Sequence, residues 1–150
     1  MADTSILPPE EQRLVLRLLS YWRELAGERP MPAVDDIDGT AIQDMWGYCF
    51  LLEGPEGGLV FRFVGEHHVA DLRADPTGQP VSGVRQNTLL GRAVAYSGQV
   101  VDRKVPITLG GKFVDAAGRN VLYRSILMPV ASNGATVLLG GANSRVVVLD

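Results

Sequence analysis

The first regular pattern in the chain is an amphipathic stretch that predicts a helix from about residue 9 to residue 26. Pro8 and Pro9 precede Glu10 and Glu11. This order suits a helix start, because proline needs no N–H there and carboxylates favour the positive end of the helix dipole. Gly27 is the expected stop. The apolar positions of this helix fall within an arc of roughly 160° in helical projection: Leu14, Val15, Leu18, Leu19, Tyr21, Trp22, Leu25 and Ala26.

The rest of the chain predicts two groups of strands separated by short helices. Residues 28–47 are rich in turn-forming residues, with a short helix expected near 41–45. Residues 65–98 predict short helical pieces followed by a better helix near 87–97. The expected strands are 48–53, 59–64, 100–109, 120–129 and 135–148, with glycine-bearing turns at 54–58, 115–119 and 133–134. The hairpin signals indicate antiparallel neighbours, so the predicted fold class is α+β.

Composition and charge limit the classes of function. The 150 residues fit one domain, with no second core. A net charge of −3 and a pI of about 5.3 argue against a nucleic-acid partner. No apolar run approaches the ~20 residues that span a bilayer, and the first residues do not resemble a secretory signal. We therefore expect no membrane insertion. The single Cys49 suits a reducing compartment, so we expect a cytoplasmic location.

Three segments carry a resemblance to a known family. They are LLSYWRELAGERPMPAVDDID (18–38), FRFVGEHHVADLRADPTGQPV (61–81) and the MPV…NG…LLGG ending at 128–141. In this order they resemble the PAS domain superfamily, in particular a compact proteobacterial single-domain branch, over most of residues 12 to 142. The departures from the usual pattern are Gly39, where proline is expected, and LRADPTG, where an aromatic-glycine pair is more common.

The resemblance implies a five-stranded antiparallel sheet with helices on one face and a flanking helix at the N-terminus. On this basis the chain divides into a flexible N-terminus at 1–8, an amphipathic helix at 9–27 and a PAS-like domain at 28–150. It also implies a signalling module that acts without chemistry of its own, as a stand-alone sensor or adaptor. Since the 150 residues carry no recognisable kinase, cyclase or DNA-binding segment, we expect output through contacts with other proteins.

Two other functions stay open at this stage. A sensor whose primary site is a small-ligand pocket is one alternative. A small isomerase-like enzyme is a more distant one, because such enzymes need only a carboxylate and one or two donors in an apolar pocket. The acidic residues Asp35, Asp36 and Asp38 are better explained as helix caps or solvated side chains. The chain has no GxSxG, P-loop, GxGxxG or HExxH motif, so we expect no enzyme and assign no catalytic residue.

A candidate ligand pocket lies between the expected sheet and the longer helix. Its candidate lining is Phe61, Phe63, His67, Leu90, Tyr96, Tyr123, Arg124 and Leu127. The alternative is that the aromatic residues simply fill the core. Alternation along the strand does not decide between Tyr123 and Arg124. Of the two adjacent histidines, His67 is expected to enter the concave side just after Phe63, the alternative being a surface histidine.

We expect no cofactor. PAS domains that bind haem usually offer a histidine from the longer helix, and residues 87–98 contain no histidine, cysteine or methionine. Photosensory PAS domains use a cysteine in an NCRFLQ-type motif. Cys49 lacks that context and is expected to be a buried apolar residue. His67 and His68 would point to opposite sides of an extended segment, which argues against a metal site.

The N-terminal helix predicts a homodimer. Its apolar arc exceeds the ≳100° that one contact needs, and Leu16 adds apolar area on the far side. Aromatic residues are enriched at interface cores. The candidate interface is Leu14, Leu18, Tyr21, Trp22 and Leu25. An unidentified signalling protein is the other expected partner. The alternative is a helix that packs wholly against its own sheet.

Overall fold

The structure, a computed structural model, describes residues 9–54 and 58–148, with side chains from residue 13. The predicted flexible segment 1–8 lies outside the described residues. The helices are α1 (Pro9–Ala26), α2 (Gln43–Trp46), α3 (Glu66–Leu72), α4 (Leu89–Val94) and α5 (Ser97–Arg103). The strands are β1 (Cys49–Gly54), β2 (Val60–Val64), β3 (Ile107–Val114), β4 (Asn120–Ser132) and β5 (Ala135–Val147). No helix of this part of the chain is long and apolar enough to cross a membrane.

The five strands form one antiparallel sheet in the order β2-β1-β5-β4-β3. The two longest strands, β4 and β5, pair along their whole length up to Ser132 and Ala135, which leaves a two-residue turn at Asn133 and Gly134. Gly134 has a φ of +69°, a region that glycine enters at little cost. The predicted α+β class and the five-stranded antiparallel sheet are confirmed.

The strand predicted at 100–109 is wrong in its first half. Residues up to Arg103 belong to α5, which ends at Lys104 in the left-handed region with a φ of +58°. The strand β3 starts only at Ile107. Short apolar runs such as Val100 and Val101 fit a helix or a strand equally well, so periodicity could not separate the two. The helix predicted near 87–97 is shorter in the structure: it is α4, from Leu89 to Val94, and α5 begins only at Ser97.

The sheet separates two hydrophobic clusters. The inner face carries α3, α4 and α5, and its buried side chains include Phe50, Leu52, Phe61, Leu90, Tyr96, Val100, Tyr123, Leu127 and Leu138. The outer face carries α1 and α2, and its buried side chains include Leu14, Leu18, Trp22, Met45, Leu51, Ile126, Met128 and Leu139. Alternate side chains of the central strands therefore belong to opposite clusters, because successive side chains of a β-strand point to opposite faces of the sheet.

Two consecutive glycines let both clusters approach the backbone of the central strand β5. A Cβ atom at Gly140 would overlap the Phe50 ring on the inner face. A Cβ atom at Gly141 would overlap Leu18 Cδ1 on the outer face. A strand interior with no side chains normally loses packing. Here the space is filled from both sides, so α1 sits directly on the sheet.

Candidate functional site

Five of the eight predicted pocket residues meet on the inner face: Phe61, Leu90, Tyr96, Tyr123 and Leu127. None of the five is more than 6% exposed. They fill the space between the sheet and the helices. None of the five lines the larger clefts that open on the described part of the chain. In this structure the set is a packed core, and its role in contacting a ligand stays a prediction.

A buried polar pair crosses this core. The Tyr96 hydroxyl lies 2.9 Å from Ser125 Oγ, and Ser125 Oγ donates to the Leu109 carbonyl oxygen at 3.2 Å. Ser125 is fully buried, and burial raises the pKa of Tyr96. The sequence analysis missed Ser125. A serine two residues from Tyr123 and two from Leu127 shares their face, and that spacing was the available signal.

Phe63 lies on the outer face, not beside Phe61. The pairing of β1 with β2 shifts between Leu51 and Leu52, so Leu52 opposes Phe61 while Leu51 opposes Phe63. This irregularity inserts one extra residue into β2 and reverses the facing of the residues after it. Phe63 stacks on Trp46, with ring centroids 4.5 Å apart. Its placement in the inner pocket was wrong.

Arg124 also departs from the predicted pocket. On β4, Tyr123 and Leu127 belong to the inner cluster, whereas Ile126 and Met128 belong to the outer one. Strand alternation places Arg124 with the outer set, where it is half-buried. The choice that the sequence left open between Tyr123 and Arg124 is therefore settled for Tyr123 as the inner residue.

The two histidines lie in helix α3 and not in an extended segment, so the expected placement of His67 was wrong. His67 is exposed and stacks on the Tyr48 ring, with centroids 3.9 Å apart. His68 is 1% exposed and makes a T-shaped contact with the Phe50 ring, with centroids 5.5 Å apart. The histidine at the inner cluster is His68. The signal for the helix was Gly65 followed directly by Glu66, an acidic residue in a first turn.

The His68 ring is tied to the backbone on one side only. Nε2 donates to the Tyr48 carbonyl oxygen at 2.8 Å, and the same oxygen accepts from the Ala142 amide at 3.1 Å. Nδ1 is buried and has no hydrogen-bond partner among the described residues. Burial lowers the pKa of His68, which the Tyr48 hydrogen bond and Asp71 oppose. The imidazole is therefore held neutral.

The described residues form no metal-binding cluster, and the cysteine is buried. Within residues 9–54 and 58–148, no three side chains of His, Cys, Asp or Glu converge on a point that would hold a metal ion. The Cys49 thiol is buried under the outer cluster, with Sγ 3.4 Å from the Met45 carbonyl oxygen. Burial raises its pKa to about 12, so the thiolate nucleophile is scarce.

Two sizeable clefts open beside the inner cluster. The first, which we call the arginine cleft, has a volume of about 670 Å³ and is lined by Arg73, Arg85 and Arg119 above an apolar floor. The second, of about 610 Å³, lies between Val60, Val81 and Val101 near the start of β2. Sequence reasoning did not find either cleft, because their walls come from distant parts of the chain.

Helix α1 packs against the outer face. Of the predicted dimer residues, Leu14, Leu18 and Trp22 are buried within the domain, and Trp22 Nε1 donates to the Pro129 carbonyl oxygen at 2.8 Å. Tyr21 and Leu25 are half-buried. Leu14, Leu18 and Trp22 are therefore occupied by intradomain contacts. On the solvent side Leu16 is 63% exposed, beside a shallow groove of about 590 Å³ between α1 and α2.

The chain is similar to known proteins in sequence and in structure. A crystal structure of a PAS domain from a two-component sensor histidine kinase aligns with 65% of this chain and 86% of that chain, at 9% identity and a TM-score of 0.43. No curated protein matches the chain. The sequence profile of the PAS domain matches residues 11–143. The chain therefore belongs to the PAS domain family.

Proposed function

We propose that this protein is a non-enzymatic signalling module that works as a sensor or adaptor through protein contacts. Membership of the PAS domain family supports the signalling role. The chemistry of the described residues supports the absence of catalysis: His68 and Cys49 are both buried, and burial disfavours the charged form of each. A single buried cysteine also suits work in the cytoplasm.

The observation that carries the proposal is the solvent-exposed side of α1, which points away from the sheet. Leu14, Leu18 and Trp22 are buried against the sheet, yet the solvent side of the helix still presents Leu16 at 63% exposure. Arg17, Arg23 and Glu24 surround the groove beside it. In a two-fold symmetric contact the same patch faces itself, so a surface with charges of both signs can pair them across the axis. We propose that this side of α1 is the contact surface of a homodimer.

The oligomeric state tests this proposal. We expect the wild-type protein to run as a dimer in light scattering at tens of micromolar. Leu16→Glu should give a monomer, because it places charges against each other at the centre of the contact. Leu109→Glu is the matched control: Leu109 is also an exposed leucine, at 41%, but lies on the edge strand β3 away from α1. That variant should remain a dimer.

Two results would contradict the proposal. One is a wild-type protein that is monomeric at these concentrations. The other is a dimer that Leu16→Glu leaves intact. Far-UV circular dichroism of both variants checks that the fold survives, as expected for changes at exposed side chains.

A further inference from the structure

The arginine cleft lies where four segments of the chain meet. Its walls come from the end of α3, the loop before α4, the turn between β3 and β4, and the last residues of β5. Its volume of about 670 Å³ is within the range of small-molecule sites in proteins. Its lining includes none of the five buried residues of the predicted pocket and none of the residues that line the groove beside α1.

The floor of the cleft is apolar and already shaped. Leu89, Phe113 and Val121 are buried members of the inner cluster, and Leu72 and Val84 pack against that cluster. The Phe113 ring is held from two sides. The Tyr123 ring meets it at 5.8 Å in an edge contact, and the Arg92 guanidinium lies 5.6 Å from its centroid. A preformed apolar surface lowers the entropic cost of binding an apolar group.

The rim of the cleft is cationic. Arg119 is paired with Asp115 at 2.8 Å, and Asp115 also accepts from the backbone amides of Ala117 and Arg119. The Arg119 backbone bond is the largest influence lowering the pKa of Asp115. The Asp115 carboxylate is thus bound by groups of its own turn. Arg73 and Arg85 make no ion pair with any residue that the structure describes.

The charge balance points to a singly charged anion. Besides the Arg119–Asp115 pair, the lining holds two arginines and one carboxylate, Asp71. The cleft therefore keeps one positive charge in a chain whose net charge is −3. Arginine recognises carboxylates through paired N–H donors, and an apolar floor selects a ligand with a hydrophobic body.

We propose that the arginine cleft binds a small amphipathic carboxylate, with Arg73 and Arg85 holding the carboxylate and Phe113 and Val121 receiving the apolar body. This inference rests on the proposed sensor function and names the class of its input. Arg73 directly follows α3 and lies in the left-handed region, with a φ of +58°. A non-glycine residue in that region is uncommon.

Calorimetric titration of the full chain with decanoate, below its micelle concentration, tests the proposal. We expect saturable binding of one decanoate per chain, weakened by added salt because the arginines are exposed. Decanol has the same apolar chain without the charge and should bind more weakly. Each arginine removed should weaken decanoate binding about tenfold, since a hydrogen bond to a charged group is involved.

The variants are chosen to separate charge from fold. Arg73→Gln with Arg85→Gln removes the unpaired cations of the cleft. Arg103→Gln is the matched control, since Arg103 is an exposed arginine in the last turn of α5 and does not line the cleft. It should bind decanoate as the wild type does. If the double variant fails to fold, the salt series and the decanol comparison on the wild type carry the same test.

Two outcomes overturn the inference: no saturable decanoate binding, or equal binding of decanoate and decanol that is insensitive to salt. Light scattering on the same samples separates this result from the proposed function. A dimer that does not bind decanoate overturns the cleft assignment and leaves the proposed contact surface standing. A monomer that binds decanoate through its arginines supports the cleft and contradicts the dimer.

Discussion

The two faces of the sheet bury comparable clusters by different means. A single helix of 18 residues, α1, covers most of the outer face. The inner face is covered by α3, α4 and α5, which have 7, 6 and 7 residues. Isolated helices shorter than ~12–15 residues are marginal in water. The inner layer therefore depends on its packing against the sheet, whereas α1 brings a longer hydrogen-bonded unit of its own.

The faces also differ in polarity. The two buried polar side chains of the described residues, His68 and Ser125, both belong to the inner side. The arginine cleft opens there as well. On the outer face the Trp22 indole reaches the Pro129 carbonyl oxygen within an otherwise apolar cluster. The buried polar side chains therefore distinguish the inner side from the outer side, whose cluster is largely apolar. This difference fits the proposed division into a sensing face and a contact face.

The strongest test of this comparison removes one matched leucine from each face. Leu18 and Leu90 are both fully buried. Leu18→Ala and Leu90→Ala should each lower the free energy of unfolding by about 2–5 kcal/mol, because each loses transfer energy and leaves a cavity. Urea denaturation measures both. Leu16→Ala, on the exposed side of α1, should change stability by less than about 0.5 kcal/mol.

A much smaller loss for Leu18→Ala than for Leu90→Ala would break the comparison. It would mean that α1 rests loosely on the sheet and that the outer cluster contributes little. The close approach of Leu18 to Gly141 argues for the opposite result, because Leu18 fills space that no β5 side chain occupies.

The polar pair of the inner face should respond asymmetrically to truncation. Ser125→Ala leaves the Tyr96 hydroxyl buried without its partner, which should cost about 1–3 kcal/mol. Tyr96→Phe leaves Ser125 Oγ still bonded to the Leu109 carbonyl oxygen, so its cost should be about 0.5–1.5 kcal/mol. Urea denaturation of both single variants and the double variant measures the coupling. Additive losses would show that the pair does not interact.

Much of the fold was predictable because its boundaries carry local signals. Helix α1 ends where Gly27 takes a φ of +59°, and the sequence placed the stop there. The β4–β5 hairpin was predicted from Asn133 and Gly134. These signals act over a few residues, so no tertiary information was needed. The short helix α5 lacked such a signal, and its apolar residues were taken as a strand.

The candidate site was less predictable because it depends on irregularity and on distance along the chain. The extra residue in β2 places Phe63 on the outer face, and the alternation of apolar and polar residues does not predict such an irregularity. The burial of His68 on the inner side could not be predicted, because the sequence indicated an extended segment where the structure has α3. Arg73, Arg85 and Arg119 belong to three separate loops, and only the packing of α3 and α4 against the sheet brings them to one cleft.

The smallest expected effect concerns pH and the inner face. In the folded protein, burial lowers the pKa of His68 below its ordinary value of 6.5. The unfolded chain therefore binds a proton at His68 more readily than the folded chain does. Stability is complete above pH 6.5 and falls as the pH drops below it, by at most about 1.4 kcal/mol per pH unit.

The aspartates with lowered pKa values act in a more acidic range. The Asp36, Asp38, Asp75 and Asp115 carboxylates have pKa values lowered from 3.8, so their contributions are lost only in more acidic solution. Of the groups acting electrostatically on His68, Asp71 favours its protonation and His67 opposes it. A stability slope just below pH 6.5 therefore reports on His68.

Urea denaturation at about pH 7.5 and about pH 5.5 should show a lower free energy of unfolding at the lower pH in the wild type, by at most about 1.4 kcal/mol. His68→Leu removes the buried titrating group and should abolish the slope, although the variant itself is less stable. His67→Gln is the control, since His67 is exposed in the same helix and the slope should persist. Burial of the His68 ring causes the slope, and Nδ1 has no partner among the described residues, so a proton added there gains no acceptor. A slope that survives His68→Leu would show that the buried histidine is not its source.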